Sequence, residues 1–356
     1  MSRAAYFKYL EETASVVGPF IEKLLQPYRA EPAGLYDALM LFARSRLRRP
    51  LQKPALFRLS YEVCGGKNWE QYVPIAAAFE LLNISSYQAN AAFDNKLGTL
   101  TDEKKDAQFI SSMISRELAA RSIRECVSLL SEQLAELENG IGHINEHIYI
   151  AQFYDLFVLN IGHLDRYARD EVLFLADYHK RCHAGSGVFN GQICYWGGRL
   201  AAGSKTQLAA LVAFGEAFGT ALQIANDIGD CAPTDPGEPN PRDYQDRYSD
   251  FRNGRLTAIL YHLLAKNPDG EKLLADHRCE GGVQPTDTLE SLSRICVEGG
   301  SVAYARKLVS ALSRQADDAL TLFGSENTAN LCKQLASILL SNKYYGSIRT
   351  LANKGK

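Results

Sequence analysis

Apolar residues recur every three to four positions through most of this 356-residue chain, the spacing that places them on one face of an α-helix. Strand-like alternation bounded by turns is nearly absent. The pattern predicts helices over Tyr6–Leu25, Gly34–Leu47, Tyr72–Ala92, Asp106–Glu138 and His143–Leu159, then Arg169–Cys182, Leu208–Ile228, Val302–Leu322 and Glu326–Leu340. Several of these are apolar around most of their circumference, as helices buried on nearly all sides are. Polar breaks fall at Lys96–Lys105, Ala232–Arg255 and Asn267–Thr288. The second carries four prolines and many charges and reads as a mobile, lid-like loop over 232–255. There is no internal repeat and no linker leading to a second core. Residues 1–356 therefore read as one all-α domain, with 1–30 as an N-terminal helix.

Composition adds constraints without naming a chemistry. The chain is 46% hydrophobic and 22% charged with a formal net charge of -2, an ordinary soluble profile that offers no electrostatic footprint for nucleic acid. Eight cysteines are scattered without paired spacing, as reduced thiols are. The first residues lack a continuous apolar signal core, and no run approaches the roughly 18 apolar residues of a membrane span. The expectation is a cytoplasmic protein that does not span a membrane.

Candidate chemistry sits in a few segments. Glu80–Asn95 reads ELLNISSYQANAAFDN, Phe218–Asp230 reads FGTALQIANDIGD, and Tyr248–Thr257 reads YSDFRNGRLT. Carboxylate or amide pairs four residues apart share a helix face and offer a two-point clamp for a hard cation such as magnesium. In this order the segments resemble the two aspartate-rich regions and the downstream Gly-Lys-x-Thr of the trans-isoprenyl diphosphate synthases. Collinear support comes from Cys64–Gly66, from AQFYDL at Ala151–Leu156, from Ser186 and Gly187, and from VEGGSVAYARKL near the C-terminus. The resemblance covers roughly 35–340. It implies the isoprenoid synthase fold, an antiparallel helix bundle around a deep central cavity, with magnesium ions gathering the charge of an allylic prenyl diphosphate.

Carried over residue by residue, the resemblance implies Asn90, Asp94, Asn226, Asp227 and Asp230 as metal ligands, with Asp94, Asp227 and Asp230 catalytic. Arg255, Thr257, Lys53 and Gln152 fall on diphosphate-binding positions, and Asn83, Ser86, Tyr87, Phe153 and Asp155 on the cavity. Departures are uneven. The first motif has lost its leading aspartate to Asn90 and its second to Ala91. Of the basic segment that binds the acceptor diphosphate, only Lys53 keeps a family cation, with Arg46, Arg48 and Arg49 at shifted positions. Asn83 replaces a histidine, Lys96–Gly98 replaces an Arg-Arg-Gly, and Gly185 replaces the lysine of a Lys-Thr pair. Thr234 stands where class I terpene cyclases place a glutamate of the second motif. Small Ser85 and Ser86 favour a long shaft, whereas Phe93, Tyr149 and Phe153 oppose it.

The acceptor side is stripped more than the second metal motif. This points to an atypical prenyltransferase whose acceptor is some small molecule other than isopentenyl diphosphate. The alternatives are a cyclase-like lyase without acceptor and a non-catalytic subunit of a heteromeric synthase. By resemblance a homodimer, or a heterodimer with a synthase, is expected. One further motif, His143-Ile144-Asn145-Glu146-His147, has the order of an inverted zinc-peptidase helix. It lacks a third protein ligand and a fitting fold, so exposed or capping histidines are expected there.

Overall fold

The structure, a computed structural model, describes residues 3–32, 34–47, 51–94, 102–231, 248–266, 286–324 and 327–340. It is built from helices α1 (Arg3–Leu25), α2 (Leu35–Leu47), α3 (Gln52–Val63), α4 (Val73–Asp94), α5 (Asp102–Arg124), α6 (Ser131–Phe153) and the short α7 (Leu164–Tyr167). These are followed by α8 (Glu171–Cys182), α9 (Val188–Leu200), α10 (Lys205–Cys231), α11 (Ser249–Arg252), α12 (Ala258–Lys266), α13 (Thr286–Glu298), α14 (Ser301–Ala319) and α15 (Asn327–Leu340).

Two apolar cores share the long helix α10. One joins α1, α3, α4 and α9, with Phe57, Phe79, Trp196, Phe214 and Phe218 almost wholly buried. The other joins α8, α10, α12 and α14 around Tyr167, Phe174, Tyr178 and Ile259. In the second, the Phe174 ring stacks on Tyr261 at 3.8 Å between centroids. Burial on several faces explains why α10 is apolar around its girth. It is the one described helix long and apolar enough to cross a membrane, yet α9 and α14 pack along it.

Some boundaries differ from the sequence expectation. The helix predicted over Asp106–Glu138 is interrupted at Glu125–Leu130, where Val127 and Leu130 point into solvent. Their apolar character continued the periodicity and hid the break. The new start is marked by Gln133, whose side chain accepts the Leu130 N–H at 3.0 Å. Residues 139–142 are helical, because Leu137, Ile141, Ile144 and Ile148 carry one buried stripe through them. Helices α3, α9, α12 and α13 were absent from the sequence reading, and α13 takes up the last residues of the loop expected over Asn267–Thr288.

The lid-like loop expected over 232–255 needs a partial correction. Its first part, 232–247, lies outside the described residues. Tyr248–Arg255 is folded: Tyr248, Ser249, Phe251 and Arg255 are buried, and α11 starts at Ser249. An isolated antiparallel bridge pairs Arg255 with Asn160. Its bonds, Ile161 N–H to the Gly254 carbonyl and Leu256 N–H to the Leu159 carbonyl, are each 2.9 Å. This bridge ties the segment before α12 to the end of α6 and sets Arg255 beside Asp155.

Candidate functional site

Two wide π-helical turns frame the site. One, Tyr154–Val158, continues α6; the other, His183–Gly187, joins α8 to α9. Such turns interrupt the regular ladder and recur at functional sites. The first presents Asp155 and the second carries Ser186 and Gly187. Between them, α8 contributes Tyr178 and Arg181, three residues apart and hence on one face.

Arg181 is the hub. Its buried guanidinium donates from Nη1 to Asp227 at 2.7 Å and from Nε to Asp155 at 2.8 Å. The Tyr178 hydroxyl donates to the same Asp227 oxygen at 2.7 Å, and Gln223 reaches the other at 3.3 Å. Arg255 Nη1 lies 3.7 Å from Asp155. Burial pushes the Asp227 carboxyl up from its ordinary pKa, against the pull of Arg181 and the Tyr178 hydrogen bond. Arg181 is held well above its own ordinary value because Asp155 and Asp227 outweigh its desolvation. The pattern is a buried ion cluster whose charges compensate internally.

Asp230 faces elsewhere. One oxygen accepts the Ser249 hydroxyl at 2.9 Å and its N–H at 3.3 Å; the other accepts the Asp250 N–H at 3.0 Å. It therefore caps α11, satisfying donors that a helix start leaves without partners. Thr257 does the same for α12, its hydroxyl oxygen accepting the Leu260 N–H at 3.4 Å. Asn226 is half-buried on α10, and Gln152 half-buried on α6.

The basic residues of the acceptor side are turned inward. Glu80, fully buried on α4, accepts Arg46 Nε at 3.1 Å and the Asn83 amide at 3.0 Å. Lys53, which falls on a diphosphate-binding position by resemblance, is buried on α3. It donates to Asn190 at 2.9 Å above the Phe189 ring. Asn190 in turn donates to the Ser186 carbonyl at 2.7 Å. Burial pushes the Lys53 amine down to about 8, against the pull of Glu80.

Along α4, Asn90 is half-buried and Ala91 is buried. Asp94 ends the helix, but its side chain lies outside the described residues, as do Arg48, Arg49, Lys96–Gly98 and Thr234. Ser85 is tied to the Ser112 carbonyl and to Arg116, whereas Ser86 donates to the Asn83 carbonyl one turn back. Tyr87 is exposed, with the Arg46 guanidinium over its ring. Phe93, Tyr149 and Phe153 are also exposed, at 44%, 50% and 58%.

The described residues at the second motif do not fit a magnesium clamp. Asn226 is a neutral amide, Asp227 is consumed by Arg181 and Tyr178, and Asp230 by the start of α11. Among the described residues, one group of three metal-capable side chains comes together: His143, Glu146 and His147, within 4.8 Å on the outside of α6. Sequence reasoning missed Arg181, Tyr178, Glu80 and Asn190. The available signals were the spacing of Tyr178 and Arg181 in register with the apolar Phe174, which puts them on the buried face of a mixed helix, and a glutamate at Glu80 within an apolar run.

No family profile and no curated protein sequence matches the chain. Solved structures do. The geranylgeranyl pyrophosphate synthetase from Pyrococcus horikoshii is 18% identical, with a TM-score of 0.75 over 95% of this chain and 99% of that one. Heptaprenyl diphosphate synthase from Staphylococcus aureus is 18% identical with a TM-score of 0.72 over 94% and 98%. A decaprenyl diphosphate synthase from Rhodobacter capsulatus is 15% identical with a TM-score of 0.72 over 95% and 98%. The chain has the all-α fold of these synthases along nearly its whole length.

Proposed function

We propose that this chain is a divergent member of the trans-isoprenyl diphosphate synthase family. It takes an allylic prenyl diphosphate and transfers the prenyl group to an acceptor other than isopentenyl diphosphate. The observation that carries this reading is the internal neutralisation of the acceptor side. Arg46 is spent on Glu80, and Lys53 is sealed against Asn190 and Phe189. A second diphosphate there would have to strip Arg46 from a fully buried carboxylate, which costs several kcal/mol. A neutral acceptor makes no such demand.

On the donor side, the carbon–oxygen bond of the allylic diphosphate breaks, the electron pair leaves with the diphosphate, and the cation alkylates the acceptor, which gives up a proton to the released diphosphate. Magnesium would neutralise the leaving group in such chemistry; Asn90 and Asp94 are the first-motif positions that the resemblance implies for it, together with the substrate's own oxygens. At that end Arg181 is paired with Asp155 and Asp227, and Arg255 lies 3.7 Å from Asp155. The first π turn carries Asp155, and the Asn160–Arg255 bridge fixes the backbone of Arg255.

A second reading, a non-catalytic subunit of a heteromeric synthase, is favoured by the full engagement of Asp227 and Asp230 in protein contacts. Large apolar side chains exposed on α5 (Phe109, Ile110, Met113) and at the end of α6 (Phe153, with Phe157 beyond it) support association with a second copy or a synthase. The buried free thiols Cys126, Cys182, Cys194, Cys231, Cys296 and Cys332 suit a reducing compartment such as the cytoplasm.

The test is release of inorganic pyrophosphate from geranyl, farnesyl and geranylgeranyl diphosphates with magnesium, with product analysis. Release with a prenylated acceptor is the expected result. A hydrocarbon product instead identifies a cyclase. No release from the chain alone, with restored chain elongation on mixing with a synthase, assigns it as a subunit.

A further inference from the structure

The second motif retains two aspartates, yet the charge beside them is supplied by the protein. Arg181 stands one turn before Gly185, the position where the resemblance implies a lysine. A Cβ at Gly185 would lie 3.1 Å from the Ala151 methyl, a tight contact between the π turn and α6. One turn earlier there is room, and the guanidinium lies between Asp155 and Asp227 with both contacts under 3 Å.

We propose that Arg181 is a built-in cation standing where a divalent metal would bridge the second motif, so that α10 binds no metal ion in this protein. The proposal rests on reading the site as a prenyl diphosphate site. It deepens that reading by making the metal complement smaller and confined to the first motif. A guanidinium matches a carboxylate in charge and fork geometry, is always protonated, and is more weakly hydrated than an ammonium. With Arg181 and Tyr178 on one Asp227 oxygen and Gln223 on the other, three donors already occupy this carboxylate, and a metal ion chelated by both oxygens must displace at least one of them. Arg181 is thus a positioning residue for Asp155 and Asp227, acting through charge.

Manganese titration followed by electron paramagnetic resonance reads this directly on the full-length chain. A His143→Ala, His147→Ala background keeps the exposed trio on α6 from contributing. In that background Asp227→Asn is expected to leave manganese binding unchanged, within twofold. Arg181→Leu is expected to create a site, with affinity raised tenfold or more, and adding Asp227→Asn to Arg181→Leu abolishes the gain. Arg181→Lys, which keeps the charge, behaves as the parent. The proposal is overturned if Asp227→Asn alone weakens manganese binding, or if a folded Arg181→Leu protein binds metal like the parent. The Asp227→Asn comparison decides the matter even if Arg181→Leu does not fold. The readout is metal binding without substrate, so a failure of pyrophosphate release leaves this result independently readable.

Discussion

Lys53 donates its amine to the Asn190 side chain across 2.9 Å, joining α3 to α9 through a buried cation. Because burial lowers its pKa to about 8, this contact has a pH signature. Below about 8 the amine is protonated in both folded and unfolded chains. Between about 8 and the unfolded value of 10.5, only the unfolded chain holds the proton, so the folded state gains stability as pH rises. Relative to Lys53→Met, the wild type should gain on the order of 3 kcal/mol across that window, since each pH step of one between the two values contributes about 1.4 kcal/mol. Urea unfolding of both proteins at pH 7.5, 9 and 10 checks this. A flat difference would show that Lys53 reaches solvent in the folded protein.

Glu80 holds the opposing charge. Glu80→Gln keeps the shape but leaves Arg46 without its carboxylate partner and removes the attraction that holds the Lys53 pKa up. A loss of about 3 kcal/mol is expected, with the pH-dependent gain attributed to Lys53 starting at a lower pH. An unchanged urea midpoint would argue against a buried Arg46–Glu80 pair.

Asp230 separates a cap from a metal ligand. If it caps α11, Asp230→Ala strands the Ser249 and Asp250 N–H groups and costs about 2 kcal/mol in metal-free buffer. A residue serving only as a metal ligand would show no metal-free loss, and the melting temperature in EDTA distinguishes the two.

The crossing of α9's leading turn on α10 depends on Gly219. A Cβ there would run into the Ser186 carbonyl and meet the Asn190 amide at 2.6 Å. Gly219→Ala should cost about 2 kcal/mol by overpacking. It should also disturb the Asn190–Lys53 contact, so its cost should differ between neutral and alkaline pH. That difference should vanish in the double variant with Lys53→Met. Thermal and urea unfolding of the single and double variants measure both effects.

Much of the fold was legible in the sequence because burial imposes a periodicity. The apolar stripes of α1, α4, α10 and α14 appear directly as three-to-four spacing, and the order of the motif segments pointed to the fold those helices adopt. Boundaries were less legible where the pattern misled. Val127 and Leu130 kept the period across a true break, and the 139–142 segment looked like a break inside a continuous stripe. For the site, the sequence by itself determined which carboxylates and cations exist: Asp155, Asp227, Asp230, Lys53 and Arg255. Only the tertiary structure decided what each one faces. Arg181 lies 46 residues from Asp227 and 26 from Asp155, and Lys53 lies 137 residues from Asn190. Pairing over such separations depends on how helices pack, and no local spacing encodes it. Charge compensation is a property of three-dimensional neighbours, so a motif that reads as a metal clamp along the chain is closed by a guanidinium from another helix.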